Sequence, residues 1–357
     1  MALTSRKKEF NFFELYEHFI TDSKKGKRLQ PNGKKLSAGT IANYGYTYQL
    51  LKKFSEEKKF QLRIRPGKSL QSRELVTEKN YWKKFYKRFT DYLYLDCGHF
   101  DNYVGQNIKN IRVFFNYLNK EKSLGLPDFH KLLYVRKEEG PIYPLLPEEL
   151  NFLIYDDAFE KKLTKRMQEV KDFFVFGCTV ALRVSDLLTL KKSNIRINAH
   201  QHYLVVRSQK TSTDTIVKLP SYAVDILQKY QKSKKSLLPH FNKSNLNKYI
   251  KLLLEQAGFT NAVHKVRERR GKTVDINSGV KAKEKSTRFC DLATTHTMRR
   301  TAITTMLSLG VPEQVVRKIS GHSANSKEFY RYVHWAQTYQ DQETDKMFEK
   351  LKSKKMV

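Results

Sequence analysis

The chain has 357 residues, with 68 Lys and Arg against 36 Asp and Glu and a net charge of +32 at pH 7. That length predicts two domains, and so large an excess of one sign strains a compact state by self-repulsion unless a polyanion shares it. The basic residues are spread along the chain and do not gather beside an apolar span, which points to nucleic acid and away from an anionic membrane surface.

The N-terminal third reads as helices. Residues 10–22, "FNFFELYEHFITD", are apolar at helical spacing. Residues 37–58 begin at a Ser/Thr cap region and place Ile41, Tyr44, Tyr48, Leu51 and Phe54 on one face. Residues 79–96 and 103–122 follow the same rule. Basic loops containing Gly and Pro, "SKKGKRLQPNGKKLS" and "IRPGKSLQ", break the pattern between them. Aromatics repeated at this spacing predict a core and not a stacking platform for bases. The Gly- and Pro-punctuated stretch that follows has little periodicity and reads as a linker over 125–144, dividing a helical domain, 1–124, from a second domain, 145–357.

The second domain opens on "LPEELNFLIYDDAF", with Pro147 at a first helical position. "KDFFVFGCTVALRVSDLLTL" is helix-like and strongly apolar, yet its apolar core is far shorter than the roughly 20 residues of a membrane helix. Residues 201–220 alternate on both sides of a polar "KTSTD" tip and predict a hairpin. A helix through "LLLEQAGF" ends at Gly258. The very basic "VHKVRERRGKTVDINSGVKAKEKSTRF" predicts a loop or a second hairpin. Helices follow over 298–308, 312–319 and 335–351. The whole is a mainly α fold with a small antiparallel sheet in its second half. Cys97, Cys178 and Cys290 are far apart and match no zinc spacing, so they predict reduced thiols. The N-terminus lacks an apolar signal-peptide core, and the expectation is a soluble, cytoplasmic protein.

Between Thr295 and His334 the chain collects unusual groups: "THTMRRT", "ISGH" and "YRYVH". Upstream stand "ALRVSDLLTL" and "SQKTSTDTIVKLP". In this order and spacing the five segments resemble the active-site boxes of the tyrosine recombinases, the phage-integrase type. The resemblance runs through residues 145–345 and assigns Arg183 and Asp186 to the first box. Lys210 falls on the hairpin, His296 and Arg299 in the His-x-x-Arg box, His322 in the third box, and Tyr332 in the nucleophile segment. It implies an N-terminal SAM-like core-binding domain and an α+β catalytic domain. It also implies a tetramer on two sites in double-stranded DNA, a four-way junction intermediate, accessory DNA-bending proteins, and a site-specific integrase of a bacterial mobile element. No cofactor or metal is implied.

The residue chemistry agrees with that assignment. Transfer at a phosphodiester builds negative charge on the non-bridging oxygens, and guanidinium groups match that geometry while staying charged. Arg183 and Arg299 are the clamp; the bland alternative for Arg183 is an ion pair with Asp186, three residues on. Asp186 reads equally as a group orienting an arginine or as solvated helix surface. His296 is the candidate base and His322 the candidate phosphate donor, since imidazole titrates near neutrality. Lys210 is the candidate acid for the leaving 5′ oxygen, with Lys218 as the alternative. A tyrosine nucleophile conserves the phosphodiester in a covalent 3′-phosphotyrosine and needs no metal. Tyr332, followed by Val333 and His334, fits better than Tyr330. The rival functions are a type IB topoisomerase-like relaxing enzyme and a non-catalytic DNA-binding protein on the same fold.

Overall fold

The computed structural model describes residues 9–67, 70–208, 213–231, 236–276 and 287–353. These fall into two compact units, one within Met1–Gly140 and Val266–Ile276, the other within Pro141–Lys265 and Asn277–Val357.

In the first unit, helix α1 (Phe12–Lys24) starts where Asn11 Oδ1 accepts the Phe13 amide at 2.9 Å. Helix α2 (Ala38–Glu57) starts at Ser37, whose hydroxyl accepts the Thr40 amide. Helices α3 (Ser72–Asp91) and α4 (Asp101–Lys120) complete the bundle. Tyr44, Tyr48, Leu51 and Phe54 of the anticipated α2 face are buried, while Ile41 is only half-buried. The aromatics form the core: Phe12 meets Phe114 edge-on at 5.2 Å and Phe54 meets Phe89 at 5.1 Å. Such pairs each contribute about 0.5–1.5 kcal/mol beyond their burial. Helix α3 begins seven residues before the 79 read from periodicity, because a capping box starts it: Glu74 accepts the Gln71 amide at 3.0 Å. The Gly- and Pro-rich segment after α4 also packs on this core. Its His130 is buried and stacks on Phe115 at 5.5 Å.

The basic stretch read as a loop or second hairpin is a hairpin, Val266–Arg269 paired antiparallel with Lys272–Asp275, and it belongs to this first unit. Arg270 and Gly271 at its turn have φ of 58° and 75°, the positive values that a two-residue turn of matching twist requires. Two buried carboxylates hold it. Asp101 accepts the Arg270 and Gly271 amides, both at 2.7 Å. Glu138 accepts the Arg267 Nε–H at 2.8 Å and the Glu268 amide at 2.6 Å. A fragment ending at residue 140 loses these donors, and a hydrogen bond to a charged group contributes about 1.5–3 kcal/mol. Fragment 1–140 is therefore expected to unfold in urea at least 2 kcal/mol more easily, on that scale, than the same fragment carrying 266–276 on a short Gly/Ser linker. Coincident unfolding curves would show that the hairpin adds nothing to this unit.

In the second unit, α5 (Pro147–Tyr155) has Pro147 at its first position, as read from the sequence. Helix α6 (Asp157–Lys162) leads into α7 (Lys165–Val180), capped by Thr164, exposed at its start and buried over most of the rest, with Phe173, Phe174 and Phe176 inaccessible. The short α8 (Val184–Leu187) follows. A three-stranded antiparallel sheet comes next, in the order Ile195–Asn198, Gln201–Arg207, Asp214–Lys218, so the hairpin anticipated over 201–220 is present with one further strand. Helices α9 (Ser221–Lys229), α10 (Lys243–Gln256), α11 (Phe289–Leu292), α12 (Thr295–Ser308), α13 (Glu313–Ser320) and α14 (Lys327–Ser353) complete it. Helix α12 lies between α7 and α14. Helix α14 begins eight residues before the expected 335, which puts Tyr332 inside a helix. No helix among the described residues is long and apolar enough to cross a membrane.

Candidate active site

The site forms where the chain turns sharply after α7. Ala181 takes a left-handed conformation, φ 55°, at the end of that helix, and its carbonyl then points to Arg299, whose Nη1 donates to it at 3.0 Å. Two residues on, Arg183 occupies the cap position of α8. Its Nη1 donates to Ser208 Oγ at 3.3 Å, and Ser208 Oγ donates to Asp186 Oδ2 at 3.3 Å. The buried Asp186 thus orients Arg183 through a hydroxyl, and no direct ion pair between the two is needed. Ser208 closes the strand before the polar tip, its amide donating to the Thr213 carbonyl at 2.9 Å. Lys210, on that tip, lies outside the described residues. Lys218, its alternative, is exposed at the opposite end of the strand and is not on the cavity wall.

Helix α12 supplies the next pair. Thr294 caps it through the His296 amide, and Asn247 Oδ1 accepts the Thr295 amide at 2.8 Å. His296 and Arg299, three apart, share one face of the first turns. Arg299 is 3% exposed. Burial, and then the charge of Arg183, pull its guanidinium down to about 10, which leaves it charged at neutral pH. His296 is exposed. Desolvation, followed by Arg300 and Arg299, holds it below its usual value, while Glu328 opposes them.

His322 is delivered by Gly321, which ends α13 with φ 65°. A Cβ there would stand 3.0 Å from Thr213 Oγ1, so the close approach also favours glycine. Burial first, then Arg299, Arg183 and Arg317, push His322 down to about 3, so the ring is neutral. Its tautomer follows from its neighbours. Ser320 Oγ lies 2.7 Å from the Val316 carbonyl, which takes its only hydrogen, so it accepts from His322 Nδ1 at 2.8 Å. The Nε2 lone pair is then free to accept from Arg299 Nη2 at 3.2 Å. His322 thus accepts from the clamp through Nε2 and donates to Ser320 through Nδ1.

Tyr332 is 3% exposed, its ring 5.9 Å from that of His322. Burial and Glu328 raise its phenol, against Arg300 and Arg299. Tyr330 is 57% exposed and lies outside the cavity, its ring 5.0 Å from the Arg317 guanidinium. Arg183, His296, Arg299, His322 and Tyr332 thus share one cavity of about 570 Å³, on whose wall Glu328 also stands. The sequence reading passed over Ser208 and Glu328. Ser208 carries no signal that separates it from other strand-end serines. Glu328 precedes Tyr332 by four residues, a spacing that puts both on one helical face once the helix is known to start at Lys327. Among the described residues no group of three or more His, Cys, Asp or Glu is placed to hold a metal ion.

The phage integrase family model matches residues 158–338, the span from before Arg183 to beyond Tyr332. A XerH site-specific recombinase bound to palindromic difH substrate is 14% identical, covering 92% of this chain and 84% of its own, with a TM-score of 0.57. A lambda integrase dimer on a COC′ core site is 11% identical over 91% and 95% of the two chains, TM-score 0.56. The Tn1549 transposon integrase with transposon right end DNA is 13% identical over 90% and 94%, TM-score 0.52. No curated protein sequence matches the chain.

Proposed function

This chain belongs to the phage integrase family of tyrosine site-specific DNA recombinases, and within that activity we propose that Tyr332 is the nucleophile, working in the cavity it shares with Arg183, His296, Arg299 and His322. The observation that carries this reading is the contrast between the two tyrosines: Tyr332 lines that cavity and Tyr330 does not. Arg183 and Arg299 grip the non-bridging oxygens of the scissile phosphate. The Tyr332 oxygen forms a bond to phosphorus as its proton passes to His296. The bond from phosphorus to the 5′ oxygen breaks, and Lys210 hands that oxygen a proton. Phosphodiester energy stays in the 3′-phosphotyrosine link, so a 5′ hydroxyl from another strand reverses the step without ATP or a cofactor. As the phosphate draws Arg299 toward itself, its own negative charge offsets the guanidiniums around His322. That ring can then take up a proton and become the donor that its position suggests.

The finer reading is an integrase of a bacterial mobile element, acting in the cytoplasm as a homo-tetramer on two double-stranded DNA sites with the help of DNA-bending proteins. The +32 charge supports the DNA partner, since each phosphate neutralised releases counterions. A lambda integrase of similar fold is a tetramer bound to a Holliday junction, which supports the assembly. The helical domain, 1–124, is the second DNA-gripping part, and 125–144 leads from it to the catalytic part, 145–357, whose 266–275 hairpin belongs to the first compact unit. The test uses the junction sequences of the element that carries the gene, cloned as paired sites on one supercoiled plasmid. Recombinant products that require both sites are expected. Steady relaxation of a plasmid lacking the sites, with no recombinants from the paired-site plasmid, would favour the topoisomerase-like reading instead.

A further inference from the structure

Among the described residues on the wall of the active-site cavity, Glu328 is the one carboxylate. It stands one helical turn before Tyr332 on the same face of α14, exposed to solvent. For binding alone it is a liability, because the scissile phosphate that must enter is itself an anion. What a carboxylate does favour is a cation forming inside the cavity. The charged and titratable groups that face His296 are Arg299 and Arg300 from its own helix, Arg183 ahead of α8, His322 after α13, and Glu328 and Tyr332 from α14. Three guanidiniums oppose an imidazolium there, and Glu328 favours it.

We infer that Glu328 is a positioning residue for His296: its carboxylate offsets Arg183, Arg299 and Arg300 and supports the imidazolium that forms when His296 takes the Tyr332 proton. The inference rests on the nucleophile and acceptor proposed above. The step balances within the chain and its substrate. The Tyr332 O–H bond breaks, its proton moves to a His296 ring nitrogen, the phenolic oxygen bonds to phosphorus, and the 5′ oxygen leaves with a proton from Lys210. A hydroxyl nucleophile, an imidazole and a carboxylate act here as in other activated-hydroxyl sites, where the carboxylate stabilises the imidazolium and is not itself protonated. Bonds of this kind are commonly long before substrate arrives.

The experiment uses the full chain and a nicked suicide substrate, with the rate of the covalent protein–DNA band followed against pH. The variants are Glu328→Gln, Glu328→Asp, His296→Gln and the Gln/Gln double, with Tyr332→Phe as the base-line control. Histidine NMR titration of the DNA-free wild type and Glu328→Gln runs alongside. Glu328→Gln is expected to cleave about tenfold more slowly near neutral pH, the equivalent of one pK unit of lost support. His296 should titrate at lower pH in that variant, and the acid limb of its rate profile should move down with it. Glu328→Asp should retain most of the rate, and Glu328→Gln should add nothing once His296 is Gln. Three results would overturn the inference: Glu328→Gln cleaving as fast as wild type or faster, an unmoved His296 titration, or losses that add in the double variant. A covalent band from Tyr332→Phe, or full rate from His296→Gln, overturns the reading beneath it and the inference with it.

Discussion

Tyr332→Phe is expected to bind duplex DNA as the wild type does and to form no covalent protein–DNA band on a nicked suicide substrate, while Tyr330→Phe keeps the band. No second phenol lines the cavity among the described residues, so the effect is a fall to background and not a partial loss. The two residues are two apart on one helix, and side chains so spaced point in different directions. Tyr332 faces His322 and the clamp, whereas Tyr330 sits 57% exposed beside Arg317. Retained binding is expected because Phe keeps the ring that packs against Phe329 and His322. Denaturing gels with labelled DNA read the band, and native gels read the binding. The reversed pattern would move the nucleophile to Tyr330; bands from both variants would remove this segment from the chemistry.

Several parts of this picture were legible in the residues and others were not, for identifiable reasons. The aromatic faces of α1, α2 and α4 announce themselves because a buried helical face must repeat every three to four residues, and Phe12, Tyr16, Phe19, Tyr48 and Phe114 do so. The polar starts of α3 and α14 carry no such stripe. They are set by Gln71 with Glu74 and by residues around Lys327, so apolar periodicity alone began both helices late. The hairpin over 266–275 could be seen as turn chemistry in "RRG", but not where it docks. Its seat on Asp101 and Glu138 pairs positions more than a hundred residues apart. At the site, Arg183, His296, Arg299, His322 and Tyr332 were named because their segments, in that order, resemble the tyrosine-recombinase boxes, and their side chains suit transfer at a phosphodiester. Their convergence depends on features with little signature in sequence: the left-handed turn at Ala181, the close approach at Gly321, and the Ser208 hydroxyl between Arg183 and Asp186.

Arg299 should separate catalysis from stability more sharply than any other residue of the site. Its guanidinium is buried, donates to the Ala181 carbonyl and to His322, and has no carboxylate within ion-pair distance among the described residues. Burying a cation so poorly compensated is unfavourable, and it is rational only where an incoming phosphate completes the pairing. Arg299→Ala removes a donor aimed at the charge of the transition state, and the covalent-band rate is expected to fall by about 10²–10³ or more. Arg299→Lys should recover little of it, since a point charge cannot span two oxygens or hold the Ala181 carbonyl at the same time. The unfolding free energy of Arg299→Ala from urea titration should change by less than about 2 kcal/mol, because the lost hydrogen bonds are offset by relief of the buried charge. Its pH dependence carries a further sign. Folded His322 is held down at about 3 from an ordinary 6.5, so in that window the unfolded chain takes up a proton that the folded chain refuses. Wild-type stability therefore falls as pH drops from about 6.5 toward 3. Removing Arg299 takes away the largest of the neighbouring charges that depress His322, its titration rises, and the acid loss of stability becomes shallower. Parallel urea unfolding of the two proteins at several pH values measures this directly, and equal slopes through the window would mean that Arg299 does not set the protonation of His322.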